Sequence, residues 1–348
     1  MSGAHGWGGN DRSSYNPQND RDDFSSARRA YDSPRTRSQY GTRSSTPDSG
    51  PLDRLDLLMG SVAVPPPVHA YTDLRAKVLK STKENVLIVM MDMTGSMGQW
   101  REDIFKFLVN LYEESQTLLG QSLEILFIAF GDVKYGDTIQ IATFGSGPEL
   151  DSHLQAFTKM SGGGDGEESP ELAAYYLLES VDVSSAKHVY AYIITDEAAA
   201  PRILASNLKR SVALTLKPEL VEVRHIFQAL LRKMEVFVIL KETDMPEYSP
   251  RLIRQYWDTT LGPDRVLQLD RANLVVETML ASVARRTDQD EVFNSSYQSR
   301  RGSTAYGAVN YDLVQKSVAM VPKGSSVVQA PNPRTGTRNL TDFLDDPT

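Results

Sequence analysis

Apolar residues follow two rhythms between residues 84 and 286. Val86-Leu87-Ile88-Val89-Met90-Met91 is an unbroken apolar run, the pattern of a strand buried on both faces. Similar runs recur at Leu123 to Phe130, Val189 to Ile194, Val236 to Leu240 and Val266 to Leu269. Between them the apolar spacing changes to a helical one. From Met97 to Leu119, Ile104, Phe107, Leu108, Leu111 and Leu118 fall near one face. Further helices are predicted over 148–159, 170–179, 218–233, 250–260 and 272–285, with Pro170 in a first turn, where proline is tolerated. Ile139 to Phe144 reads as a short strand. The link before it, Gly131 to Asp137, is too short for a helical crossover and suits an antiparallel hairpin. Strands alternating with helices at this spacing predict an α/β fold: a doubly wound, mostly parallel six-stranded sheet with one antiparallel edge strand.

The flanks read differently. Residues 1–50 are rich in Ser, Arg, Asp, Gly and Asn, with few aliphatics. Such a segment cannot bury enough surface to offset its ordering entropy, so a disordered tail is expected. Residues 51–83 form a lead-in whose Pro65-Pro66-Pro67 must be extended. After residue 287 no period is sustained, and mostly disorder is expected to 348, with a short strand or turn near 305–321. The expected domain is therefore 84–286.

Composition narrows the classes. Hydrophobic residues make up 40% and charged ones 24% of the 348 residues, ordinary for a globular protein. The net charge of −8 argues against wholesale binding to nucleic acid or an anionic membrane. The absence of cysteine removes disulfides, thiolate metal sites and cysteine nucleophiles together. The N-terminus has no apolar signal core, and no run approaches the roughly 20 apolar residues of a membrane-spanning helix. A cytoplasmic location is the resulting expectation.

Three polar clusters sit where such a sheet binds ligands, at the carboxyl ends of its strands. The first is Asp92-Met93-Thr94-Gly95-Ser96, the second Gly162-Gly163-Gly164-Asp165-Gly166, and the third Thr195-Asp196-Glu197. Thr94 and Ser96, two apart in a loop, can turn both hydroxyls toward one centre. Carboxylates and hydroxyls without soft donors suit a hard dication such as Mg²⁺ or Mn²⁺. The bland alternative for Asp92 and Asp196 is capping or turn formation after a strand. For Asp165 it is a loop turn, and Asp132 reads as a surface turn or an outlying carboxylate. His69, His153, His188 and His225 are scattered and read as structural.

These clusters resemble the metal-ion-dependent adhesion site of von Willebrand factor A-type domains. That motif has Asp-x-Ser-x-Ser after the first strand, Thr in a glycine-rich loop and Asp after the fourth strand. Asp92, Thr94 and Ser96 match the first part, with Thr for the middle Ser, and Asp196 matches the last. Asp165 stands where the family has Thr. The resemblance is closest to intracellular members with a Gly-Gly-Gly-Asp-Gly loop and covers about 200 residues. It implies a non-enzymatic, metal-dependent interaction or scaffolding module, with Asp92, Thr94, Ser96, Asp165 and Asp196 on the metal. A protein partner would supply an acidic side chain. A third carboxylate at Asp165 would weaken the attraction for that acid.

A rival resemblance is to haloacid-dehalogenase-like phosphotransferases, with Asp92 of Asp-Met-Thr-Gly-Ser as nucleophile and Gly164-Asp165-Gly166 as their acidic loop. Against it, Thr94 stands where many of these enzymes carry a second Asp. Glu167-Glu168 replaces their Asn-Asp pair, and residues 148–160 read as a helix where a buried strand should precede the acidic loop.

Overall fold

The computed structural model describes residues 78–108, 110–162, 167–212, 214, 220–242, 250–301 and 305–324. Six strands make the main sheet: β1 (Asn85–Asp92), β2 (Leu123–Phe130), β3 (Gln140–Ile141), β4 (His188–Thr195), β5 (Glu235–Lys241) and β6 (Val266–Leu269). Their order is β6-β5-β4-β1-β2-β3, parallel throughout except for the antiparallel edge strand β3. The doubly wound sheet expected from the apolar runs is therefore present, and β2 and β6 have the predicted bounds.

Ten helices are described around the sheet: α1 (Trp100–Leu108), α2 (Leu111–Leu119), α3 (Glu149–Gln155), α4 (Pro170–Ser180), α5 (Ala205–Ser211), α6 (Val223–Leu231), α7 (Pro250–Leu261), α8 (Val275–Arg286), α9 (Asp290–Arg301) and α10 (Ala305–Ser317). The unbroken strand runs explain the layering. Alternate residues of β1 point to opposite sides, so Val86, Ile88 and Met90 join one core with α4, α6 and α7. Leu87, Val89 and Met91 join the other with α1, α2 and α8.

Differences from the sequence reading are local. The single helix predicted over 97–119 is two helices, α1 and α2. The helix predicted over 218–233 is confined to α6, preceded by Leu220–Glu222 paired antiparallel with Arg202–Leu204. Residues 290–301 and 305–317, expected to be mostly disordered, form α9 and α10. Phe293 and Tyr297, one turn apart on α9, are both buried, as are Val314 on α10 and Val318 just after it. The readings of residues 1–77 and 325–348 lie outside the described residues.

Ionic contacts hold α9 down. Glu277 on α8 is 2% exposed and takes both Arg300 guanidinium nitrogens, at 3.1 and 3.1 Å, and Arg301 Nε at 2.8 Å. Arg300 also pairs with Glu114 on α2. Burial, with the charge of Glu277 behind it, raises the Glu114 pKa. No helix among the described residues is long and apolar enough to cross a membrane.

Candidate functional site

Strand register assembles the rim. Asp92, the last residue of β1, lies opposite Phe130 at the end of β2. Thr195 ends β4 one step beyond the Met91–Ile194 pair, and Leu240 of β5 lies beside Thr195. Asp92, Thr195, Asp196 and Lys241 are thereby delivered to one edge by backbone pairing alone.

The side chains then form a continuous chain of contacts. Asp92 is 2% exposed, and its Oδ1 accepts from the Thr94 hydroxyl at 2.6 Å and the Thr94 amide at 2.9 Å. Its Oδ2 accepts from the Thr195 hydroxyl at 3.0 Å. Thr94 Oγ1 lies 3.1 Å from Ser96 Oγ, which donates to Asp196 Oδ1 at 2.9 Å. Lys241 Nζ donates to Asp196 Oδ2 at 2.8 Å and to the Ser96 carbonyl at 2.6 Å. Four of the five sequence candidates, Asp92, Thr94, Ser96 and Asp196, are thus brought together. The fifth, Asp165, lies outside the described residues.

The start of the glycine-rich loop, Ser161 and Gly162, reaches the same place. Asp137 accepts from the amides of Asp132, Ser161 and Gly162, which ties the start of the loop to the end of β2. Gly162 has φ +71°, and a Cβ there would come within 3.0 Å of Thr94 Cβ. Only glycine fits both the left-handed backbone and the close approach. Beyond the loop, Glu167–Glu168 pairs in parallel with Ala198–Ala199, joining it to the turn after β4.

Glu168 was not among the sequence candidates, yet it is 2% exposed and its Oε2 is buried without a hydrogen-bond partner among the described residues. Burial, then the charges of Asp92, Glu197 and Asp132, push its pKa up to about 11, against the pull of the Thr94 hydroxyl. Burial and then Asp196 push Asp92 up to about 7, against bonds from Thr94 and Thr195. Glu171, in the first turn of α4, is raised in the same direction by burial. Asp132, read as a surface turn, is 2% exposed, and its Oδ1 caps the turn at Lys134. Lys241 was also missed as a site residue, and Thr195, named in the third cluster, was not placed among the ligands. The available signal was positional: each ends an apolar strand at the carboxyl rim.

A proton-binding consequence follows. A carboxyl raised in the folded state holds more protons folded than unfolded, so stability falls as pH rises above its unfolded value. For Asp92 that window runs from 3.8 to about 7, and for Glu168 it opens at 4.5. Asp196 acts on Asp92, Glu197 and Asp132 act on Glu168, and Lys241 is paired with Asp196. In chelator, the melting temperature is expected to drop between about pH 5 and about pH 8, by roughly 2–4 °C for each kcal/mol lost. A flat or rising profile would contradict the buried cluster.

The donor set is all oxygen and therefore suits a hard dication, and Glu168 Oε2, buried and without a partner among the described residues, is a polar atom that such an ion would satisfy. Among the described residues, no group of three or more His, Asp or Glu side chains is already arranged to hold a metal. The two carboxylates in the contact chain are joined through hydroxyls instead.

The strand order and the antiparallel edge match the Rossmann-like arrangement of von Willebrand factor A-type domains. The fold does not support the phosphotransferase alternative. Residues 149–155 are helical, and Glu167–Glu168 belongs to a two-stranded pair outside the main sheet. Asp92, its nucleophile, is buried with both oxygens already bonded.

No family profile and no curated protein matches the chain. Among solved structures, it is similar to the open conformation of the pilus adhesin SpaC from Lactobacillus rhamnosus GG. The two are 16% identical with a TM-score of 0.41, over 63% of this chain and 31% of that one. It is also similar to proximal thread matrix protein 1 from the mussel byssus, at 13% identity and a TM-score of 0.39, over 59% of this chain and 48% of that one. A form of the byssus protein described as having a zinc-occupied MIDAS motif is 10% identical, with a TM-score of 0.39. The chain spans about a third to a half of the length of these proteins. The expected cytoplasmic location is corrected by these matches, a pilus adhesin and a byssal matrix protein. Its physical basis was weak, since a cysteine-free chain is compatible with either redox environment.

Proposed function

We propose that residues 84–286 form a non-enzymatic protein-interaction or scaffolding module whose rim takes a divalent metal, Mg²⁺ or Mn²⁺. Thr94 and Ser96 bind it through their hydroxyls, and Asp92, Asp165 and Asp196 bind directly or through water. The ion supplies positive charge and an open coordination position for an acidic side chain of a protein partner. This chain's residues orient that position. Thr195 fixes Asp92, Asp137 holds Ser161 and Gly162 at the start of the glycine-rich loop, and Gly162 allows the close approach to Thr94. The observation that carries the reading is the unbroken contact chain from Asp92 through Thr94 and Ser96 to Asp196, whose two ends are 104 residues apart in sequence.

Titration calorimetry tests it. The wild type is expected to take up one Mg²⁺ or Mn²⁺, and Asp92→Asn, which keeps the side-chain shape, to lose that uptake. Absence of binding by the wild type at millimolar metal would overturn the proposal. Chelation that leaves the melting temperature unchanged but removes partner binding assigns the metal to capture. Loss of stability alone assigns it to holding the loops.

A further inference from the structure

Lys241 supplies a cation to this site from within the chain. It ends β5, beside Leu269 of β6, where the register aims it across the rim. Its ammonium sits on Asp196 Oδ2 at 2.8 Å and on the Ser96 carbonyl at 2.6 Å. The Lys241 side chain is only 14% exposed and that of Asp196 5%, so water and salt screen the pair poorly. Asp196 is held from two sides, by the Ser96 hydroxyl on Oδ1 and by the ammonium on Oδ2. The ammonium joins the loop after β1 to the residue after β4, which is the bridging task a dication would perform. We infer that Lys241 is a tethered competitor of the metal. It closes the rim by holding Asp196 and Ser96, and a dication gains Asp196 only when the ammonium withdraws.

The argument is one of charge and position. A dication coordinated by Asp196 would lie within a few ångströms of the ammonium, and like charges at that separation repel strongly in a poorly screened site. Removing the ammonium leaves Asp196 buried without its counter-charge, a state that a metal would relieve. Loss of Lys241 should therefore have opposite effects on the two forms, weakening the metal-free protein and strengthening metal uptake. A merely structural ion pair would show only the first.

The inference rests on the proposed metal site, and the test separates the two. The full chain and Lys241→Met are titrated with Mg²⁺ and Mn²⁺ by calorimetry and melted with and without metal. Lys241→Met is expected to bind Mg²⁺ at least about tenfold more tightly than wild type. Its melting temperature should be lower in chelator and recover when Mg²⁺ is added. Lys241→Arg, which keeps the charge, should not gain affinity. Equal affinities for wild type and Lys241→Met would overturn the competitor role while leaving the metal site standing. No uptake by either protein would overturn both. Should Lys241→Met fail to fold, the neutral Lys241→Gln carries the same comparison.

Discussion

Trp257→Ala is expected to lower the unfolding free energy by about 3–5 kcal/mol, the usual cost of emptying a large core site. Trp257, on α7, is fully buried. Its ring meets Phe227 edge-on at 5.5 Å and Tyr256 at 5.1 Å. Its Nε1 donates to the Glu197 carbonyl at 3.0 Å, so the same side chain pins the turn that carries Asp196. Trp257→Phe keeps most of the packing but strands that carbonyl, and a smaller loss of about 1–3 kcal/mol is expected. Urea unfolding of the two variants provides the measurement. Losses of equal size in both would show that the hydrogen bond outweighs the ring, and a loss below about 1 kcal/mol in Trp257→Ala would mean that α7 is not docked this way.

The second large effect lies on the opposite face of the sheet. Replacing Arg300 and Arg301 together by Ala leaves Glu277 buried without the arginines that neutralise it. Removing one side of a buried ion pair typically costs about 3–5 kcal/mol, because the remaining charge is uncompensated. α9 contributes only two buried residues to the core, Phe293 and Tyr297. The loss is therefore expected to appear as detachment of α9 and not as global unfolding. Amide exchange should accelerate in 290–301 while β1 and β4 stay protected. If Glu277 is also changed, to Leu, part of the protection should return, since its buried charge is gone and Glu114 remains as the carboxylate that has lost its arginine. Uniform acceleration across the sheet would contradict a locally docked helix.

The contrast between these two regions shows what the sequence could reveal. The strands around Trp257 were legible because burial on both faces demands unbroken apolar runs such as those of β1 and β4. Asp92, Thr94, Ser96 and Asp196 were legible because each follows directly after such a run. By contrast, α9 was hidden. Its sequence, DEVFNSSYQSRR, is polar overall, and its attachment depends on two aromatic residues and on arginines that pair with α8 and α2. No window of local sequence contains those partners. Glu168 and Lys241 were missed for a related reason. A glutamate after a glycine loop and a lysine at a strand end both read as solvated, and only the register between distant strands shows that each is enclosed.

The path of the chain around the sheet gives the molecule a front and a back. Leu79–Lys80 pairs with Val181–Asp182 just ahead of β4, and Gly324 donates to the Arg285 carbonyl at the far end of α8. Among the described residues, both of these contacts lie on the side from which the parallel strands set out, so they leave untouched the opposite rim that carries Asp92 and Asp196.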